Sequence, residues 1–99
     1  MSRNQFVVSA ESVQGNAGAE VTFKALKMRE VREYRTLGIS DGEVLKEHLM
    51  SWSGFVDDND KALPSPADDP EVLGELYLHE QQALARLLFQ GPDEENAKN

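Results

Sequence analysis

The residue types that support catalysis or metal binding occur in this chain in patterns that stop short of a working site. Asp57, Asp58, Asn59 and Asp60 gather carboxylates as a calcium loop does. An EF-hand, however, alternates its ligands, requires glycine at its sixth position and ends on a glutamate. Counted from Asp58, the third position is Asp60 but the fifth is Ala62 and the sixth Leu63, so a solvated turn is expected. His79-Glu80-Gln81-Gln82-Ala83 begins like a zinc-protease helix. The second histidine one turn on is replaced by Ala83, and the chain has only 2 histidines. Ser51-Trp52-Ser53-Gly54 lacks the leading glycine of a nucleophile elbow. Gly15 to Gly18 has neither the spacing of a phosphate loop nor a helix start after it. No catalytic, cofactor-binding or metal-binding residue is assigned, and the chain reads as a binding protein rather than an enzyme.

Charge and aromatic content carry more. The net charge of −8 is unevenly spread. Residues 1–40 hold six bases against four acids, a net +2, whereas residues 41–99 hold four bases against fourteen acids, a net −10. One reading is a solvated acidic surface that keeps the protein soluble. The other is self-complementarity: Arg29, Arg32 and Arg35 of one copy meet the acidic half of a second, giving a head-to-tail homo-oligomer. Glu30 and Glu33 interleave with the arginines and no stacking platform accompanies them, so nucleic acid is not the expected partner. The only tryptophan, Trp52, suits either a half-buried core place, with its indole N–H turned to a carbonyl or to solvent, or an apolar anchor for a partner.

The elements that must position these residues follow from periodicity. A length of 99 residues fits one small domain with a modest core. With no cysteine there are no disulfides or thiolate metal sites, and neither an export leader nor an apolar run of about 20 residues is present, so an intracellular soluble protein without a membrane partner is expected. Gln5 to Ala10 has strand character, Gly15 to Gly18 forms a loop, and Glu20 to Leu26 alternates polar and apolar as a half-buried strand does. The two strands are expected to pair. Residues 27–37 change to helical spacing through Met28, Val31 and Tyr34, and Gly38 stops them. Ser40 caps a second helix with Glu43 three residues on. Val44, Leu45, His48, Leu49 and Trp52 then form one helical face ending at Gly54. Asp68-Asp69-Pro70 opens a third helix, whose face of Val72, Leu73, Leu76, Tyr77, Leu84, Leu87 and Leu88 reaches Gly91-Pro92.

The expected fold class is α+β, mainly α: a short N-terminal β-hairpin or strand pair followed by three helices. Residues 1–19 form a flexible or β segment, 20–91 a single small helical domain and 92–99 a disordered tail. Leu88-Phe89-Gln90-Gly91-Pro92 coincides with the end of the peptide cut by picornaviral 3C proteases, but Ala85-Arg86-Leu87 continues the helix pattern into it without a break.

The order of these pieces resembles a known family. A strand Glu20 to Leu26 leading into a helix with Arg32-Glu33-Tyr34-Arg35, then Leu49-Met50-Ser51-Trp52-Ser53-Gly54, an acidic turn and Leu63-Pro64 before a last helix, is similar to the small tail assembly chaperones of long-tailed bacteriophages. The resemblance covers about residues 20 to 91. Family members often continue the acidic turn with a glycine, where this chain has Asn59-Asp60-Lys61, and Pro64-Ser65-Pro66-Ala67-Asp68 is a looser match. The resemblance implies a protein with no enzymatic activity and no cofactor. Such a protein binds the long helical tape measure protein, keeps it soluble, and helps tail tube protein polymerise around it in the host cell cytoplasm before leaving the particle. On that reading Leu45, His48, Leu49, Trp52, Phe55, Leu84 and Leu88 are expected to line an apolar groove for the partner helix. The family often adds a longer product by frameshift near the gene's end. The alternative function is an acidic inhibitor or nucleic-acid mimic, for which the −10 half supplies the charge, although its carboxylates gather at helix starts and turns.

Overall fold

The computed structural model describes residues 4–92. The chain is α+β. Strand β1 (Gln5–Ser9) and strand β2 (Glu20–Lys24) pair antiparallel, with Phe6 opposite Phe23 and Val8 opposite Val21. Period-2 alternation accounts for the pairing, because all four of these side chains point to one face and are buried, and a slip of one residue would turn them into solvent. The Phe6 and Phe23 rings lie 5.5 Å apart. The connection, expected to be a loop, contains one helical turn, α1 (Glu11–Gln14), which is too short to show a period and is ended by Gly15. Through β1, Ala10 and Val13 the N-terminal segment enters the same core as the rest of the chain.

The hairpin is followed by α2 (Met28–Leu37) and α3 (Asp41–His48). The Ser40 hydroxyl accepts from the Glu43 amide at 3.4 Å, as the capping pattern predicts. The second helix does not reach Trp52. It stops at His48, and Leu49–Ser53 forms a third strand, β3, antiparallel to β2, in a sheet of order β1-β2-β3. The reason lies in a bulge. Thr22 faces Ser51 and Phe23 faces Leu49, which leaves Met50 without an opposite number. The extra residue sets the two inward side chains, Leu49 and Trp52, three positions apart. In sequence that spacing is indistinguishable from a helical face.

The expected third helix is likewise two pieces, a 3-10 segment Pro70–Glu75 and α4 (Leu78–Gln90). Asp69 caps the first through its side chain at 3.1 Å from the Glu71 amide. The break falls at Leu76-Tyr77, where the Tyr77 amide donates to Glu80 Oε1 at 3.0 Å. Tyrosine is not a capping residue, so this start carries no sequence signal. Among the described residues, five helical segments and three strands replace the expected three helices after a strand pair, and one strand lies well beyond the N-terminal region. The tail expected from residue 93 onward falls outside the described residues.

The helices α3 and α4 and the 3-10 segment cover the inner face of the sheet, so that Val44, Leu45, Val72, Leu84 and Leu88 close on Phe23, Trp52 and Phe55. Gln14 fastens the periphery: its amide nitrogen donates to the buried Glu80 at 2.8 Å and its oxygen accepts from the Val56 amide at 2.7 Å. The chain leaves β3 through Gly54 at φ +77°, and a Cβ there would meet Ala19 Cα at 3.0 Å and Gly18 O at 3.1 Å. Backbone conformation and close approach thus both require glycine. Gly54→Ala is expected to cost about 1–3 kcal/mol, seen as a lower urea midpoint at unchanged slope. An unaltered midpoint would contradict this packing.

Candidate functional site

The acidic turn and the His79 segment, both chemically suggestive in sequence, have structural roles. In the acidic turn, Asp57 Oδ1 accepts from the amides of Asn59 (2.8 Å) and Lys61 (3.0 Å), while the Asp57 amide donates to the Lys61 carbonyl at 2.8 Å. A bridge between Val56 and Ala62 closes the loop. Asp60 sits in the left-handed region at φ +61°, the only non-glycine residue among those described to do so. Asp58 accepts from the Tyr77 hydroxyl at 2.6 Å, and the Tyr77 ring stacks on His79 at 5.6 Å. These groups border an acidic hollow of about 360 Å³ with Asp60, Glu75 and Glu80. Among the described residues no three of His, Cys, Asp or Glu come together in a way that could hold a metal ion, and no helix is long and apolar enough to cross a membrane.

All seven residues expected to touch a partner, Leu45, His48, Leu49, Trp52, Phe55, Leu84 and Leu88, lie in the core. Trp52 is 7% exposed and stacks on Phe55 with ring centroids 4.3 Å apart and planes 6° apart. Its indole nitrogen, expected at a carbonyl or in solvent, is buried without a hydrogen-bond partner.

His48 is a buried polar node. Its Nδ1 lies 2.8 Å from the Lys24 carbonyl oxygen and its Nε2 3.0 Å from the Tyr34 hydroxyl. A carbonyl only accepts, so Nδ1 carries the proton, and in the neutral ring Nε2 then accepts from the tyrosine O–H. The Glu30 carboxylate stands 3.6 Å from Nε2. One ring thereby joins β2, α2 and α3.

The open surface lies beside this node. Helix α2 has no buried residue. Its inner face, Glu30, Val31 and Tyr34, is half-buried, and Arg29, Arg32 and Arg35 face solvent. Between α2 and α3 runs a groove of about 370 Å³ lined by Tyr34, Leu37 and Ile39, with Glu33 on one wall and Glu43 and Glu47 on the other. Leu37 is 65% and Ile39 37% exposed. The turn at Gly38 builds this floor. The Gly38 amide donates to the Arg35 carbonyl and the Ile39 amide to the Tyr34 carbonyl at 3.0 Å, a Schellman motif that brings Ile39 back against Tyr34. Sequence reasoning read Leu37-Gly38-Ile39 only as a helix stop. The missed signal is two large aliphatic residues flanking a cap glycine, Leu37 continuing the Met28, Val31, Tyr34 line to the helix end and Ile39 lying just beyond the stop.

No family model matches the chain, and neither a curated protein nor a solved structure is found that matches it.

The tyrosines report on both acidic surroundings. Burial, then the Glu30, Glu47 and Glu33 carboxylates, raises the Tyr34 phenol above the ordinary 10.0. The hydrogen bond to Asp58, then the charge of Asp58, raises that of Tyr77. Since the folded state holds each proton more tightly than the unfolded chain, their contribution to stability is complete below pH 10.0 and is lost as pH climbs through the raised values. Ultraviolet titration of the phenolates is expected to place both tyrosines above the unfolded chain, and Asp58→Asn to return Tyr77 toward it. Ionisation of either at or below 10.0 would contradict the geometry.

Proposed function

We propose that this protein is a tail assembly chaperone of a long-tailed bacteriophage, which binds the tape measure protein, keeps it soluble and promotes polymerisation of the tail tube protein in the host cell cytoplasm. The observation that carries the reading is the groove between α2 and α3, whose open floor of Tyr34, Leu37 and Ile39 is apolar and whose walls bear Glu33, Glu43 and Glu47. Such a surface suits the seating of an amphipathic helix, and the net charge of −8 opposes aggregation of what it holds.

The acidic turn adds support. Where family members often carry a glycine in this turn, the Asn59-Asp60-Lys61 of this chain places Asp60 at φ +61°, the conformation for which glycine is the usual choice and aspartate one of the tolerated substitutes. The Trp-centred segment ahead of it packs as a strand stacked on Phe55, so in this account it maintains the scaffold rather than grips the partner. Acids of the inhibitor alternative have structural work: Asp57, Asp69 and Glu80 each accept from a backbone amide.

Co-expression with the tape measure protein of its own genome is expected to move that protein into the soluble fraction as a complex. Equal insolubility with and without this chain would overturn the reading.

A further inference from the structure

The groove's chemistry specifies its occupant more narrowly than an apolar helix. Acids stand on both walls, Glu33 on α2 and Glu43 with Glu47 on α3, so an apolar segment flanked by acidic residues would be repelled from either side. Glu43 and Glu47 are four residues apart on α3 and therefore project from one face a single turn apart. A second helix lying alongside repeats that spacing, because its own residues at i and i+4 are separated by the same distance. The local cation is weakly committed: Lys46 reaches Glu43 at 3.6 Å, both side chains are 63% exposed, and such exposed pairs exchange readily for a better one. Glu33 and Glu47 line the same hollow as Tyr34, so their charges stand beside the groove floor.

We infer that the groove binds an amphipathic helix whose apolar stripe is flanked on both sides by lysine or arginine, with two of these bases one turn apart against Glu43 and Glu47. The inference rests on the chaperone reading for the partner's helical character, and it adds the charge pattern and the register. Leu37 and Ile39 take the stripe, Tyr34 forms the base of the groove, and the arginines Arg29, Arg32 and Arg35 on the far side of α2 stay outside the contact.

The test uses the full chain and two synthetic helical peptides sharing one leucine stripe at i, i+3, i+4 and i+7. One is flanked by lysines and the other by glutamates. Backbone amide shifts and fluorescence anisotropy are expected to show the lysine peptide binding, with shifts concentrated at Tyr34, Leu37, Ile39, Glu43 and Glu47, and the glutamate peptide not binding. The double variant Glu43→Lys, Glu47→Lys is expected to weaken the lysine peptide about tenfold and to gain the glutamate peptide. Leu37→Asp, at an exposed position that the fold does not need, is expected to abolish binding of the lysine peptide. Equal binding of the two peptides, or shifts centred on the Trp52 strand or the acidic turn, would overturn the inference. Because neither peptide involves the tape measure protein, this result and the co-expression result can fail independently.

Discussion

The hydrogen bonds of His48 are the constraint on which the arrangement of this protein's surface depends. A ten-residue helix such as α2 is marginal by itself in water, and most helices of that length are held by burying an apolar stripe. Here α2 buries no residue, and its anchorage comes from Tyr34 and Glu30 meeting the one imidazole that also binds the Lys24 carbonyl. Each such bond contributes about 0.5–1.5 kcal/mol, and losing the imidazole would remove the partner of the Lys24 carbonyl and of the Tyr34 hydroxyl together. The node therefore fixes where α2 lies against α3, and with it the width of the groove between them.

The apolar residues of this small chain are divided between two tasks. The sheet's inner face, α3, the 3-10 segment and α4 gather most of the large aliphatic and aromatic side chains, including Trp52 and Phe55, in one core. Outside it lie Leu37 and Ile39 beside a cap glycine, together with Met28, Met50, Tyr77, Leu78 and Phe89 at other places on the surface. The residues with the strongest intrinsic suitability as binding anchors are thus structural, and the working surface we propose is made from less conspicuous ones. The acids divide in a parallel way, some spent on capping the acidic turn and the helix starts, others on the groove walls.

Much of this was legible in the amino-acid sequence wherever one period ran without interruption. The β1–β2 pairing, the extent of α2, the Ser40 cap and the stop at Gly38 all follow from alternation, helical spacing or capping chemistry. The misreading of residues 49–53 has a definite cause: a bulge at Met50 spaces Leu49 and Trp52 as a helix would, so that a strand imitates the preceding helix's face. The break at Leu76-Tyr77 was hidden because the apolar residues continue through it and the capping interaction comes from Glu80 rather than from the residue at the cap. The groove was missed for a third reason. Burial depends on what the tertiary fold brings over each face, and residues marked as anchors by their size are the ones a small core claims first.

The most direct test of this account is amide hydrogen exchange on the chain with and without His48→Leu, a change that keeps an apolar group of similar bulk in the core but deletes both ring nitrogens. If α2 is held on by the imidazole, amides of residues 28–37 will lose protection in the variant while those paired across β1, β2 and β3 keep most of theirs. Retained protection across α2, or a uniform loss shared equally by the helix and the sheet, would show that α2 is secured by something other than this node.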